Sequence, residues 1–316
     1  MKKILIVLGL LGFCPAEAHG VCDAALTDVR PIYEWEDDCD ACGCSANGGG
    51  LGYSSILDQN FVGIRYFYQY YKSKDGLYND SPWIDEHFNT VQLWAKIPLS
   101  RRWQVSLLLP YQMHDSQKTS GAQKISGLGD VTVLGFYGLI KSDSDQMGFG
   151  QELQVGGGVK MPTGQYKADQ NGSVNPSFQV GTGSWDFLLT AEYTLKYQNV
   201  GWQSMLSYTF KNENNQHYQF GNQWSYASTG FYRWVQGKTT WVPQLGIAGE
   251  VFASNLSYKE AVKDTRGDVL FGKLGAEVGY GRFSVGATAL LPIAQNLTGG
   301  KVEAQSRWSV HLNYSL

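Results

Sequence analysis

The chain has 316 residues and a formal net charge of −3, which gives no reason to expect a nucleic-acid partner or a polybasic lipid-binding surface. Glycine (38 residues), tyrosine (19) and tryptophan (10) are all abundant, and long segments with a helical period are absent. This composition disfavours a helical domain and favours an all-β protein with many short strands.

The first 18 residues are predicted to be a secretory signal peptide. Lys2 and Lys3 form a basic start, residues 4–13 are continuously apolar, and residues 15–18 contain an A-x-A cleavage site. No later apolar run approaches the roughly 18 residues that a membrane-spanning helix needs. We therefore expect an exported protein with three parts: the signal peptide (1–18), an N-terminal segment (19–58) and a strand-rich domain (59–316).

The N-terminal segment, residues 19–58, is acidic and shows no period of 2 or 3.6, so we interpret it as an irregular periplasmic extension or plug. In an oxidising periplasm its cysteines are expected to form two disulfides, with three pairings left open. The alternative is a Cu(I) or Zn(II) site, because thiolates at these spacings can surround a soft ion. No other cofactor is expected. The cysteines are Cys22, Cys39, Cys42 and Cys44.

From Phe61 onward, apolar and polar residues alternate in about twelve runs of roughly 9–13 residues, the length of a tilted transmembrane strand. In the first run Val62 and Ile64 share one face, and Arg65 lies on the other. A single-chain bacterial barrel has an even number of strands. The predicted fold class is therefore an all-β, antiparallel transmembrane barrel of about twelve strands over residues 59–316.

Long polar connections alternate with short turns along these runs. Bacterial barrels have short periplasmic turns and longer external loops, and the first connection here is long. We therefore expect both termini in the periplasm and outer-membrane lipid around the barrel. The alternating C-terminal run, which ends at Leu316, resembles the signal that the barrel-insertion machinery recognises. Long loops are expected at 73–87, 114–128, 162–182, 212–222, 254–268 and 293–304, and short turns at 99–102, 142–147, 198–201, 236–239 and 281–282.

Charged residues of both signs lie on the face opposite the apolar one, which is the lumen side of a barrel. They can hold a barrel interior together by pairing, or line a polar pathway, and both interpretations stay open. The lumen candidates are Arg65, Lys96, Asp130, Glu152, Lys160, Asp186, Glu192, Lys196, Arg233, Glu250, Lys273, Glu277 and Arg307.

Enzymatic activity is not expected, although some twelve-stranded barrels are lipases. His87, His114 and His217 fall in or beside the predicted loops, and His311 points inward. No nucleophile motif accompanies any of these histidines. The chain also has no phosphate-loop, dinucleotide or calcium-loop pattern.

Three motifs mark strand ends between residues 127 and 186: Gly-Leu-Gly-Asp at 127–130, Met-Pro-Thr-Gly at 161–164, and Gly-Thr-Gly at 181–183 with Asp186 after it. Pro162 cannot donate to a strand ladder, so it ends its strand. Asp130 begins the lumen face of the preceding strand, and we expect it to pair with Lys160.

The order and spacing of these motifs resemble the outer-membrane family named for the meta-pathway of phenol degradation. The resemblance implies a barrel of the broad class that includes fatty-acid and aromatic-hydrocarbon channels. We therefore expect a channel for a small solute, hydrophobic or aromatic in character. The alternatives are a metal-handling protein that uses the N-terminal cysteines, and a structural or adhesive barrel.

Overall fold

The computed structural model describes residues 55–75, 81–142, 149–167, 175 and 178–316. Its regular structure consists of antiparallel strands and one short 3₁₀ turn, Thr298–Gly300. The strands are β1 (Phe61–Lys74), β2 (Trp83–Pro98), β3 (Trp103–Lys118), β4 (Gly121–Leu128), β5 (Val131–Ser142), β6 (Phe149–Met161), β7 (Asp186–Tyr197), β8 (Val200–Phe210), β9 (Tyr218–Gln219), β10 (Gln223–Tyr232), β11 (Trp234–Gln236), β12 (Thr239–Phe252), β13 (Leu256–Ser257), β14 (Glu260–Ala261), β15 (Gly267–Tyr280), β16 (Phe283–Leu297) and β17 (Val302–Ser315).

The strands close into one barrel because β1 pairs with β17 and β10 pairs with β12. β4 and β5 pair with successive parts of β3, so together they count as one strand of the barrel. In the same way β10 and β11 pair with successive parts of β12 and count as one strand. The barrel therefore has twelve antiparallel positions, which confirms the predicted fold class. The short strands β9, β13 and β14 form a separate small sheet at one end.

Alternation along each strand separates a lipid-facing surface from the interior. On β1, Val62 and Ile64 are 47% and 44% exposed, whereas Phe61, Arg65 and Phe67 are buried. The outward side chains are apolar all around the barrel, as a hydrocarbon environment requires. The interior is a mixed layer of charged, amide and aromatic side chains.

The barrel has a turn end and a loop end. At the turn end β7 and β8 are joined by residues 198–199, and β15 and β16 by residues 281–282. The loop end carries the connections 162–185, 211–222 and 253–266. This alternation of long and short connections agrees with the sequence prediction.

Two of the predicted long loops are wrong. Residues 114–128 continue β3 and β4, joined by residues 119–120, and residues 293–304 continue β16 and β17 around the 3₁₀ turn. Polar side chains such as His114 and Ser116 are buried between the strand ends, so polarity there marks an interior and not a loop. His87, in the predicted loop 73–87, also lies in a strand, β2, where its ring stacks on those of Tyr68 and Tyr70.

The predicted signal peptide and the four cysteines lie outside the described residues, as does most of the N-terminal segment. Residues 55–58 are the described part of that segment. Among the residues that the structure describes, no helix is long and apolar enough to cross a membrane.

Candidate solute pathway and its two closures

Charged side chains pair across the barrel interior. Lys96 Nζ on β2 lies 3.2 Å from Glu192 Oε2 on β7, and Arg307 Nη2 on β17 lies 2.9 Å from Glu250 Oε2 on β12. β2 and β7 are not neighbours in the barrel, nor are β17 and β12, so these bonds run through the interior. All four side chains are less than a tenth exposed. Breaking such a pair on one side leaves a buried charge uncompensated.

The interior cations also lie over aromatic rings. The Arg65 guanidinium is 4.1 Å from the Trp94 ring and 4.3 Å from the Phe67 ring, and Lys96 Nζ is 4.3 Å from the Phe136 ring. Cations over ring faces are stabilised by the ring quadrupole, most strongly where water is excluded. The interior therefore combines charged groups with aromatic rings that are themselves buried.

Most of the sequence-predicted lumen residues are buried inside the barrel. Glu152 is partly exposed, Lys196 is exposed, and Arg233 is exposed in the short link between β10 and β11. The buried members are Arg65, Lys96, Asp130, Lys160, Asp186, Glu192, Glu250, Lys273, Glu277 and Arg307.

The turn end is covered by residues 55–60, which we call the turn-end segment. Glu277 on β15 accepts hydrogen bonds from Ser55 Oγ at 2.8 Å, Ile56 N at 3.2 Å and Leu57 N at 3.0 Å. Gln244 Nε2 also donates to Glu277, at 3.1 Å. A single carboxylate therefore holds the start of the segment to the barrel wall.

The rest of the turn-end segment reaches other parts of the wall. Gln59 Nε2 donates to Glu152 Oε2 on β6 at 2.8 Å, and Asn60 Oδ1 accepts from Gln104 Nε2 on β3 at 2.9 Å. Because β15 lies across the barrel from β3 and β6, the segment crosses its opening.

Asp58 is the titratable group of the turn-end segment. Burial raises the pKa of Asp58 above its ordinary value, and the negative charge of Glu277 raises it further. A hydrogen bond from Ser284 Oγ opposes these two effects on the Asp58 pKa. The raised pKa means that burial outweighs the hydrogen bonding to this carboxylate.

A small chamber of about 30 Å³, open to solvent, lies between the turn-end segment and the barrel wall. Its wall side chains come from five strands, β2, β6, β7, β8 and β10. They include Lys96, Glu152, Gln154, Glu192, Lys196 and Phe231.

At the loop end, described residues of the connection between β6 and β7 lie inside the barrel, and we call residues 162–185 the inward loop. Its described residues are 162–167, 175 and 178–185. Phe178 is buried, with its ring centroid 6.1 Å from that of Phe88 and 6.4 Å from that of His114. Asn175 Nδ2 donates to Glu86 Oε2 on β2 at 2.6 Å.

The inward loop is fixed at its base by a buried charge cluster. Lys160 Nζ lies 2.7 Å from Asp186 Oδ2 and 3.5 Å from Asp130 Oδ2, so the predicted contact of Asp130 with Lys160 is present. Asp130 also accepts from Gly164 N at 3.0 Å and from Thr182 N at 2.8 Å. The three sequence motifs thus meet at one carboxylate.

Close backbone approach explains the glycines of these motifs. A Cβ on Gly181 would lie 2.6 Å from Asp130 Oδ1 and 2.6 Å from Gly164 Cα, so no larger residue fits. Thr163 Oγ1 donates to Gly129 O at 2.7 Å, which ties the inward loop to the break between β4 and β5. The motifs therefore form one structural unit.

Sequence reasoning missed Glu86, Asn175 and Phe178. Glu86 lay within a predicted loop, and Asn175 and Phe178 lay in a polar stretch with no period. Nothing local in the sequence indicates that Asn175 meets Glu86, or that Phe178 packs against Phe88.

No group of three metal-binding side chains comes together among the described residues. The cysteine cluster lies outside them and stays a prediction. His217 is paired with Glu213 at 2.7 Å on the surface, and His311 Nε2 is 4.0 Å from Glu277 Oε1 in the interior.

A closed twelve-stranded barrel with an apolar outer surface and a charged, aromatic interior defines a β-barrel of the outer-membrane type. The chain belongs to the family described as MetA-pathway of phenol degradation, whose sequence profile matches residues 82–291. This match confirms the resemblance that the motifs between residues 127 and 186 indicate. No curated protein sequence matches the chain.

Two solved structures are similar to the barrel. An outer-membrane channel from Pseudomonas putida F1 is 15% identical, with 83% of this chain and 97% of that chain covered and a TM-score of 0.61. The β domain of the Bordetella autotransporter BrkA is 11% identical, with 82% and 100% covered and a TM-score of 0.51. At these identities the likeness shows the fold alone.

Proposed function

We propose that the protein is a channel for a small solute with a hydrophobic or aromatic body, closed at both ends by segments of its own chain. The observation that carries the proposal is that the turn-end segment crosses one opening of the barrel, and that the described residues of the inward loop enter the other. Segments held by a few side-chain bonds open at a lower free energy than a continuous strand ladder. The pathway can therefore open while the barrel stays intact.

The interior supports a solute of this kind. Trp94, Phe67 and Phe136 lie inside the barrel under the cations of Arg65 and Lys96, and their rings become accessible when these flexible side chains move. An apolar or aromatic body can pack against such rings, and the polar side chains keep the path wettable. Membership of the family and likeness to an outer-membrane channel agree with this assignment.

We further propose that the barrel lies in the outer membrane of a Gram-negative bacterium, inserted by the barrel-assembly machinery, with its turn end and both termini in the periplasm. The short turns support this orientation, because such barrels have short periplasmic turns and longer external loops. Exposed aromatic rings beside the turns fit a membrane–water interface. These exposed residues are Tyr197, Trp202, Trp234, Trp241, Tyr280 and Phe283.

Liposome swelling with uncharged solutes tests the channel assignment. Purified protein is reconstituted, and swelling is measured with phenyl glucoside, an uncharged aromatic solute that crosses lipid slowly, and with a larger oligosaccharide as the control. We expect swelling with phenyl glucoside that exceeds that of empty liposomes. If folded protein gives none, and a chain beginning at residue 59 also gives none, the channel assignment is wrong.

Epitope insertion tests the orientation. A tag between Lys259 and Glu260, at the loop end, should bind antibody on intact cells, and a tag between Gly281 and Arg282, at the turn end, should bind only after permeabilisation. The reverse pattern would place the termini outside the cell.

A further inference from the structure

An open groove of about 680 Å³ lies on the outer surface of the barrel near the turn end, across β8, β10 and β12. We infer that this groove binds an anionic glycerophospholipid, with an acyl chain over Gly230 and the phosphate group at Arg233 and Lys238. The inference goes beyond the channel itself, and it rests on the proposed placement of the barrel in a membrane.

The groove exists because a glycine faces outward between two large side chains. The register partners of Gly230 are Trp202 on β8 and Leu245 on β12, and both are exposed on the outer surface. Among the described residues, a Cβ on Gly230 would meet nothing closer than Leu245 O, at 3.7 Å. Trp202 Nε1 donates to Ser204 Oγ at 2.8 Å, which holds the indole in place as a wall. The missing side chain therefore leaves a slot whose floor is backbone.

The lining and the dimensions of the groove suit an acyl chain. Apolar and aromatic residues, including Leu195, Tyr232 and Leu274, form the rest of the lining. The volume lies within the roughly 300–1,000 Å³ of sites that hold small ligands. From Gly230 to Gln236, at the end of β11, the strand path rises about 20 Å, since each residue of a strand adds about 3.3 Å. A lipid whose head lies at the end of this hairpin therefore reaches Gly230 with its chain.

The hairpin beside the groove carries positive charge only. Between residues 223 and 249 the sequence contains Arg233 and Lys238 and no Asp or Glu. Both side chains are exposed, and in the described part of the chain no carboxylate oxygen lies within 4.0 Å of either cation. Trp234 and Trp241, exposed register partners on the same hairpin, mark the headgroup level. Basic residues at this level attract an anionic lipid head.

Titration of the delipidated protein in detergent, read by native mass spectrometry, tests the inference. The probes are phosphatidylglycerol, which is anionic, and phosphatidylcholine with the same acyl chains, which has no net charge. We expect one phosphatidylglycerol to bind about thirtyfold more tightly, because each of two basic residues contributes about fivefold. Arg233→Gln and Lys238→Gln should each reduce this preference about fivefold. Arg101→Gln, in the exposed turn between β2 and β3 across the barrel, should leave it unchanged.

Gly230→Leu provides an independent measurement, because it fills the slot and should weaken both lipids about tenfold. Ala287→Leu, on the exposed outer face of β16 and outside the groove, should weaken neither lipid. Heat-modifiable gel mobility checks that each variant is folded.

Three results would overturn the inference: equal binding of the two lipids, binding to Gly230→Leu as tight as to wild type, or displacement of phosphatidylglycerol by an equal concentration of inorganic phosphate. Any of these together with liposome swelling by phenyl glucoside leaves the channel assignment in place. Lipid binding without swelling supports the groove and removes the channel assignment alone.

Discussion

Lys160 and Asp186 form a buried ion pair of 2.7 Å that joins the two ends of the inward loop. The two residues are register partners, Lys160 near the end of β6 and Asp186 at the start of β7. The contact therefore determines where the loop leaves the barrel wall and where it returns. Asp130, 3.5 Å from the same ammonium group, links this base to the preceding strand.

Lys160→Met should release the inward loop, because it leaves Asp130 and Asp186 buried without their cation. Removing one partner of a buried pair costs about 3–5 kcal/mol. Limited proteolysis in detergent should cleave the loop faster, while the barrel keeps its heat-modifiable mobility. Lys301→Met is the matched control, since its 3.6 Å pair with Asp264 is more exposed and contributes about 0–1 kcal/mol. Equal proteolysis of both variants and wild type would contradict the role of Lys160.

Gly181→Ala should disturb the same base by steric overlap. The added Cβ would lie 2.6 Å from Asp130 Oδ1, and overpacking of this kind costs about 1–3 kcal/mol. Gly230→Ala is the control, because its nearest contact, Leu245 O at 3.7 Å, is of ordinary length. We expect faster loop proteolysis in Gly181→Ala only. A loop that is as protected as in wild type would show that the glycine has no packing role.

Glu277→Gln should loosen the turn-end segment. The carboxylate accepts from Ile56 N and Leu57 N as well as from Ser55 Oγ, and an amide has one fewer acceptor oxygen. Loss of one charge-assisted bond, about 1.5 kcal/mol, should speed amide hydrogen exchange at residues 56 and 57 about tenfold. Glu303→Gln, on β17 and away from the segment, should not change this rate. Unchanged exchange in Glu277→Gln would mean that the segment is held by other contacts.

Docking of the turn-end segment should depend on the protonation of Asp58. Its pKa is raised above 3.8 in the docked state, so the docked state binds the proton more tightly than the free segment does. Docking should therefore strengthen as pH falls from the raised pKa toward 3.8, and weaken as pH rises through the same window. The measurement is exchange at residues 56 and 57 against pH, with Asp58→Asn subtracted as the reference. A difference curve that is flat, or of opposite sign, would contradict this assignment.

The N-terminal cysteines, outside the described residues, are predicted to form disulfides, with a Cu(I) or Zn(II) site as the alternative. Exchanging Cys42 and Cys44 for serine should leave bound copper and zinc unchanged if all four cysteines are paired. Metal analysis of the wild type and the double variant, both purified without chelator, distinguishes disulfides from a metal site. Loss of a stoichiometric metal in the double variant would favour the metal site.

Local pattern predicted the barrel well, because alternation with period 2 is a property of each strand by itself. It placed Arg65 and Lys96 on the inner face, and it paired Asp130 with Lys160 because they stand at the ends of consecutive strands. It did not predict the pair of Lys96 with Glu192, since only closure of the barrel brings β2 and β7 opposite each other.

The contacts of the turn-end segment and of the inward loop were the least predictable part of the structure. Ser55 meets Glu277, and Asn175 meets Glu86, across large separations in sequence and through segments without any period. The polar composition of residues 114–128 predicts a loop, but these residues form the ends of two strands. Their polar side chains are buried because the inward loop covers them. The motif glycines were recognised, but their physical reason, close approach at Gly164 and Gly181, became visible only in three dimensions.

The central claim is that two segments of the chain close the pathway in series. Single-channel conductance in planar bilayers tests it with wild type, Lys160→Met, a chain beginning at residue 59, and the combination of the two changes. Because either closure alone still obstructs the path, we expect a small rise in conductance for each single change and a rise in the combination that exceeds their sum. Equal conductance in all four folded proteins, or purely additive changes, would contradict two closures in series.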